Sequence, residues 1–173
     1  MAGSSVICIE VAGAAYAIPV AEVQEVIDYR PPTRVFHAPP ALAGIFSLRG
    51  EVLPILELAA LLEAEPSRLQ AASSPRVVVV RETTGPRRRV GLKVDALLGL
   101  RDVPPAGCGE VPPAIAARLG ALVIGVVSEP APAFALLSVS GILGSPALLE
   151  LRGVSAEEEV RPWLLANLPA PSC

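Results

Sequence analysis

Aromatic residues are scarce in this chain: three phenylalanines, two tyrosines and one tryptophan among 173 residues. A pocket lined by aromatic rings is therefore not expected. The core has to be assembled from Val, Leu, Ile and Ala, a composition that favours strands and short helices. Histidine occurs once, at His37. Nothing in the sequence links it to Cys8 or Cys108, so the nucleophile-and-base pair of covalent catalysis is missing. Cys8, Cys108 and Cys173 are odd in number and fit neither zinc-ligand nor CxxC spacing. They suit a reducing cytoplasm, and Cys108, between Gly107 and Gly109, has no basic neighbour to activate its thiol. Glycine-rich phosphate loops of the GxxxxGK(S/T) or GxGxxG form are also absent. These absences together predict no catalytic residue, no metal site and no cofactor.

Charge of one sign is lacking as well. The net charge is −3, and no broad basic face is available to neutralise phosphates, so nucleic acid is not an expected partner. The one basic cluster, Arg87-Arg88-Arg89, follows the turn signal Thr83-Thr84-Gly85-Pro86 and reads as a solvated hairpin tip. No apolar run approaches the roughly 20 residues that span a bilayer, and the N-terminus lacks a basic region followed by a long apolar stretch. Neither membrane insertion nor a signal peptide is expected. No internal repeat of the 20–50-residue kind is visible.

What the chain has is short apolar segments and many breakers. Hydrophobic residues make up 52% of it and prolines number 19, which argues against long helices and long central strands. About 70% of the unfolded surface can be buried at this length, so a core needs no disulfide or metal. Val6–Val11 and Ala15–Ile18, around Ala12-Gly13-Ala14, predict a hairpin. Val20, Val23, Val26 and Ile27 recur at helical spacings after Pro19, and predict a short amphipathic helix or helical turn over Val20–Ile27. Pro39-Pro40 predicts a second helical piece, Ala41–Phe46. Strands are expected at Val52–Leu56, Arg76–Arg81, Arg89–Asp95 (continuing through Ala96–Leu100), Ala121–Val127 and Phe134–Val139. A short helix carries Leu58, Leu61 and Leu62, and another is expected near Leu149. The Pro- and Gly-rich stretch Asp102–Pro113 reads as loop. Many short strands between turn signals indicate a barrel or a sandwich.

The order of these pieces resembles the CheW-like chemotaxis coupling proteins. The resemblance runs from about Val6 to Leu149. It rests on AIPVAEVQEVIDY, PALAGIFSLRGEVLPILEL, RVVVV, RRRVGLKVDALLGL and ALLSVSGILG, and is most specific over Ala43–Leu58. Two positions depart from the family pattern: Ser47 stands where Asn is usual before Leu-Arg-Gly, and Glu57 where Asp is usual. The resemblance implies a mainly β fold of two SH3-like five-stranded barrels sharing a hydrophobic core, with short helices, over residues 1–150, and a C-terminal extension over 151–173. It implies an adaptor without catalytic activity in the cytoplasm. Its implied partners are the regulatory domain of a CheA-type histidine kinase and the cytoplasmic hairpin tip of chemoreceptors. By motif, the implied receptor-side contacts are Val23, Glu25, Gly44 and Arg49.

The residues themselves point the same way at one place. Arg49, between Leu48 and Gly50 in an apolar block, needs a partner or solvent. Glu25 can pair with it if the two segments meet, fixing the guanidinium fork. On a helix, Val23 would then pack inward while Glu25 reaches a groove. A divergent member of the family with only one partner, in pilus, gliding or developmental signalling, is the alternative that Ser47 leaves open. A small β-barrel ligand carrier or enzyme is the alternative of another class. In the extension, Ser155 and Glu158 resemble a capping box that Pro162 would interrupt. Trp163 either folds back on the barrel or anchors an interface.

Overall fold

The computed structural model describes residues 4–64, 74–84, 88–104, 107–128 and 132–149. Among them run ten strands and four short helices. The first hairpin is β1 (Ser4–Val11) and β2 (Ala14–Pro19). A 3-10 turn, Val20–Glu22, leads into β3 (Val23–Asp28). Then come β4 (Leu42–Leu48), β5 (Glu51–Glu57), α1 (Leu58–Leu61), β6 (Arg76–Arg81) and β7 (Arg89–Val94). The last third holds β8 (Ala96–Val103), α2 (Pro113–Leu119), β9 (Val123–Val127), β10 (Phe134–Leu137), α3 (Val139–Leu143) and α4 (Pro146–Leu149).

The strands form two five-stranded sheets, ordered β8-β1-β2-β10-β9 and β3-β6-β7-β5-β4. The first hairpin thus completes a sheet whose other three strands come from the far end of the chain. Each sheet curls until its two edges touch through one bridge: Thr33, just after β3, pairs with Ile45 of β4, and Gly109, after β8, pairs with Val126 of β9. With single bridges rather than full ladders between their edges, the two sheets are open ones curled into barrel-like halves, not the strictly closed barrels expected.

The interior strand β6 shows how the sequence builds this. Val77, Val78, Val79 and Val80 are all fully buried, as a continuous β-branched run implies for a strand covered on both faces. Val77 and Val79 join Leu53 and Ile55 inside the second barrel. Val78 and Val80 face the other way, into a larger cluster with Ile9, Val11 and Ile18 of the first barrel. Val6, Cys8, Ala17 and Phe134 fill the first barrel. Apart from Tyr16, the buried core shared between the barrels is aliphatic.

The two barrels repeat one topology. In both, a strand with one extra residue pairs at the edge: Gln24 is extra in β3 and Leu98 in β8. In both, the opposite edge strand has its own extra residue, Ala43 in β4 and Ile124 in β9. In both, a parallel pair sits beside it, β5 with β7 and β10 with β2. Sequence inspection shows no such repeat because the matching strands lie far apart in the chain and one barrel is completed by the N-terminal hairpin.

Two helix expectations are overturned. Val20–Ile27 is a single 3-10 turn followed by strand β3, and all of Ala41–Phe46 but its first residue belongs to strand β4. In the first the cause is a β-bulge; in the second the proline pair starts a single turn and no helix follows. The extra residue Gln24 puts Val23 and Val26 on one face of a strand although they are three apart, which imitates a helical period. Pro39 does begin a turn, its carbonyl accepting from the Leu42 N–H at 2.8 Å. Helix α2 went unread, although Pro113 stands in its first turn, a helix-start signal.

The arginine cluster is also corrected. Arg88 clasps Glu82 with two nitrogens, at 3.1 and 3.0 Å, and donates to the Leu143 carbonyl at the end of α3 at 2.8 Å. Arg89 pairs with Glu51. Both residues are tied to the fold rather than solvated, and Arg88 links the second barrel to a helix that follows the first. Gly85, Pro86, Arg87 and the whole stretch 150–173, with Ser155, Glu158 and Trp163, lie outside the described residues.

Candidate partner-binding site

Arg49 and Gly50 form the two-residue loop of the β4–β5 hairpin, between the paired residues Leu48 and Glu51. Both take positive φ, 53° and 82°, the pattern of the tight turn that suits strand twist. Glycine adopts it freely. Arginine there carries strain of about 1–2 kcal/mol. The fold thus holds a bulky cation at a hairpin tip where glycine or asparagine would be easier, and strain of this kind concentrates at functional sites.

The tip faces Glu25. The Arg49 Nη2 atom donates to Glu25 Oε2 at 3.1 Å, with the arginine side chain 76% exposed and the glutamate side chain 22%. The strand bulge sets this up. Glu25 pairs with Val79 and so faces as Val79 does, whereas Val23 pairs with Val80 and packs on the shared core. Without Gln24, Val23 and Glu25 would share a face, as residues two apart in a strand do. On the tip's other flank, Glu51 is tethered to Arg89 of β7.

Gly44 makes the seam possible. A Cβ on it would lie 2.3 Å from the Thr33 carbonyl oxygen, and its φ of 147° disfavours a side chain. Its bareness lets the 31–33 crossing lie on β4, where Thr33 and Ile45 exchange hydrogen bonds of 3.0 and 2.9 Å. Beside this contact runs a groove of about 220 Å³, lined by Ile27, Arg30, Pro31, Thr33, Ile45, Phe46, Ser47 and Leu48. Of the four expected contact residues, Glu25 and Arg49 meet directly, and Gly44 shapes the seam on the strand that leads into the Arg49 loop. Val23 lies on the opposite face of β3.

The substitution at Glu57 is accommodated. Its Oε2 accepts from Lys93 Nζ at 2.7 Å, and that ammonium also sits over the Tyr29 ring, 5.1 Å from its centre. Elsewhere, a cleft of about 500 Å³ between β2, α2 and β10 has Arg118 as its one charged lining residue. Tyr16 lines it too, and burial pushes its phenol pKa up, against the pull of Arg118. Burial likewise raises the thiol of Cys8, which makes it a poorer nucleophile. Sequence reasoning missed Arg30, Glu51 and Arg89, since their places depend on barrel closure and strand pairing. The nearest signal was an arginine placed before Pro31-Pro32, on a crossing that proline stiffens.

Residues 5–147 match the CheW-like domain. The chain belongs to the CheW-like domain family. It is 35% identical over 82 residues to a probable chemotaxis protein CheW of Rhizobium etli, a match covering 47% of this chain and 50% of that one. It is 32% identical over 111 residues to the chemotaxis protein CheW of Rhizobium meliloti, covering 60% of this chain and 66% of that one. The chain thus spans about half the length of the first of these relatives and just under two thirds of the second. The crystal structure of the scaffolding protein TtCheW from Thermoanaerobacter tengcongensis aligns with a TM-score of 0.72 at 19% identity, over 85% of this chain and 96% of that one. The two-barrel CheW fold is shared even at that low identity.

Proposed function

We propose that this chain is an adaptor without catalytic activity that couples chemoreceptors to a CheA-type histidine kinase in bacterial chemotaxis signalling, in the cytoplasm. The observation that carries the reading is Arg49: a strained, largely exposed cation at a hairpin tip, oriented by Glu25. An exposed ion pair adds only about 0–1 kcal/mol of stability, so stability does not account for the strain. Presentation to a partner does. Membership of the CheW-like family, and the names of the relatives in Rhizobium, support chemotaxis as the setting. Among the described residues no helix is long and apolar enough to cross a membrane.

The test is binding of the purified chain to two probes, a CheA regulatory domain and a chemoreceptor cytoplasmic hairpin fragment. Binding to both is expected. Binding to only one indicates the divergent form that Ser47, exposed on β4 in place of asparagine, favours. Binding to neither overturns the adaptor reading and turns attention to a ligand-binding or enzymatic role.

A further inference from the structure

The groove beside the Arg49 tip has properties that barrel closure alone does not explain. Three described arginines have side chains with neither an ion pair nor a hydrogen bond among the described residues: Arg30, Arg34 and Arg81. Only Arg30 lines the seam groove. Its backbone is constrained, because the residue before a proline is pushed toward extended conformations and Pro31 and Pro32 follow. The crossing is pinned again three residues on, where Thr33 bonds Ile45. An unpaired guanidinium is therefore held on a stiff segment.

The rest of the lining suits a carboxylate with an aliphatic stem. Thr33 and Ser47 bring hydroxyl groups that can donate, while Ile27, Phe46 and Leu48 belong to the apolar packing of the second barrel. The volume, about 220 Å³, falls below the ~300 Å³ at which small-molecule pockets begin. It fits one side chain of a docked protein better than a free metabolite. Leu48, which lines the groove, directly precedes Arg49 at the hairpin tip, so a partner gripping Arg49 reaches the groove.

We infer that the seam groove is a second contact for the partner that engages Arg49, and that Arg30 receives an acidic side chain of that partner. This rests on the proposed receptor-binding role and adds its chemistry: a chemoreceptor hairpin carrying a carboxylate beside an aliphatic patch. Arg30 then sets which receptor is accepted, since a partner with a neutral or basic side chain there leaves the guanidinium without a counter-charge.

The experiment measures affinity of the full chain for a chemoreceptor cytoplasmic hairpin fragment at low and high salt. Its variants are Arg30→Gln, Arg49→Ala and, as controls, Arg34→Gln and Arg81→Gln. Arg30→Gln is expected to weaken binding about tenfold at low salt, as loss of a charge-assisted bidentate contact would, with a shallower salt dependence and an unchanged melting temperature. The two controls are expected to bind like the parent. Replacing acidic residues of the fragment one at a time with their amides is expected to reveal one that couples to Arg30 in a double-mutant cycle. If Arg49→Ala loses binding while Arg30→Gln binds normally, this inference falls and the adaptor reading stands. If Arg49→Ala binds normally while Arg30→Gln weakens, the groove contact stands and the role given to Arg49 falls. Normal binding by both overturns both. The absence of any acidic residue that couples also overturns the assignment of a receptor carboxylate.

Discussion

Arg49 and Glu25 stand 24 residues apart in sequence and at opposite edges of one five-stranded sheet, yet their side chains meet at 3.1 Å. They meet because the sheet curls shut. Anything that opens the seam between β3 and β4 should therefore disturb the pair without touching either residue.

Gly44→Ala is the sharpest way to open it. The new Cβ would lie 2.3 Å from the Thr33 carbonyl, and the positive φ adds strain. A loss of about 1–3 kcal/mol in unfolding free energy is expected, along with faster hydrogen exchange at the Thr33 and Ile45 amides. Unchanged stability with both amides still protected would show that the seam tolerates a side chain there.

Arg88 ties the second barrel to α3. Its Glu82 partner is only 11% exposed, so replacing the arginine alone deprives a largely buried carboxylate of its bidentate partner. Arg88→Met is expected to destabilise the chain by about 2 kcal/mol, below the full penalty for breaking a deeply buried pair. The double variant Arg88→Met, Glu82→Met should recover most of that loss. Urea midpoints of the four proteins check this, and a double variant no better than the single one would contradict it.

Glu22 predicts a pH dependence. Burial pushes its carboxyl above the ordinary value of 4.5, while the Val139 N–H, bonding to the carboxylate, pulls it partly back. A raised folded-state value means that the folded chain holds the proton longer than the unfolded chain. The contribution of Glu22 is thus most favourable below the unfolded value and declines as pH rises through the folded one. Glu22→Gln, which still accepts from Val139, should flatten that decline and be at least as stable as the parent at pH 7. Urea denaturation from pH 4 to 7.5 measures it; an unchanged slope would remove Glu22 as its source.

Strain at Arg49 has a measurable counterpart. Asparagine tolerates the left-handed region, so Arg49→Asn should match or exceed the parent in stability by up to ~1 kcal/mol while losing receptor binding. A clear drop in melting temperature would show that the Glu25 pair outweighs the backbone strain.

The fold was legible where one strand obeys one pattern. The valine run of β6 announces a strand buried on both faces, and that strand joins the two barrels. Legibility failed where a single extra residue shifts the pattern, as Gln24 does in β3, because a bulged strand and a short helix place apolar residues at the same spacing; before β4 it failed because Pro39 starts only one turn. The topological repeat was hidden because its strands are interleaved along the chain. At the site, the family motif marked Arg49 and Glu25; the structure keeps Arg49 in a loop but carries Glu25 on a bulged strand rather than a helix. Arg30 and Arg89 carry no local signature; what they face is decided by closure of the barrel and by pairing of β5 with β7.

The measurement closest to the central claim is the pairing of two numbers for Arg49→Ala: its melting temperature and its affinity for a chemoreceptor hairpin fragment. The account predicts a melting temperature close to that of the parent, since an exposed pair contributes about 0–1 kcal/mol, and loss of receptor binding. A chain that unfolds early and binds no worse than its stability explains, or one that keeps full affinity, would contradict it.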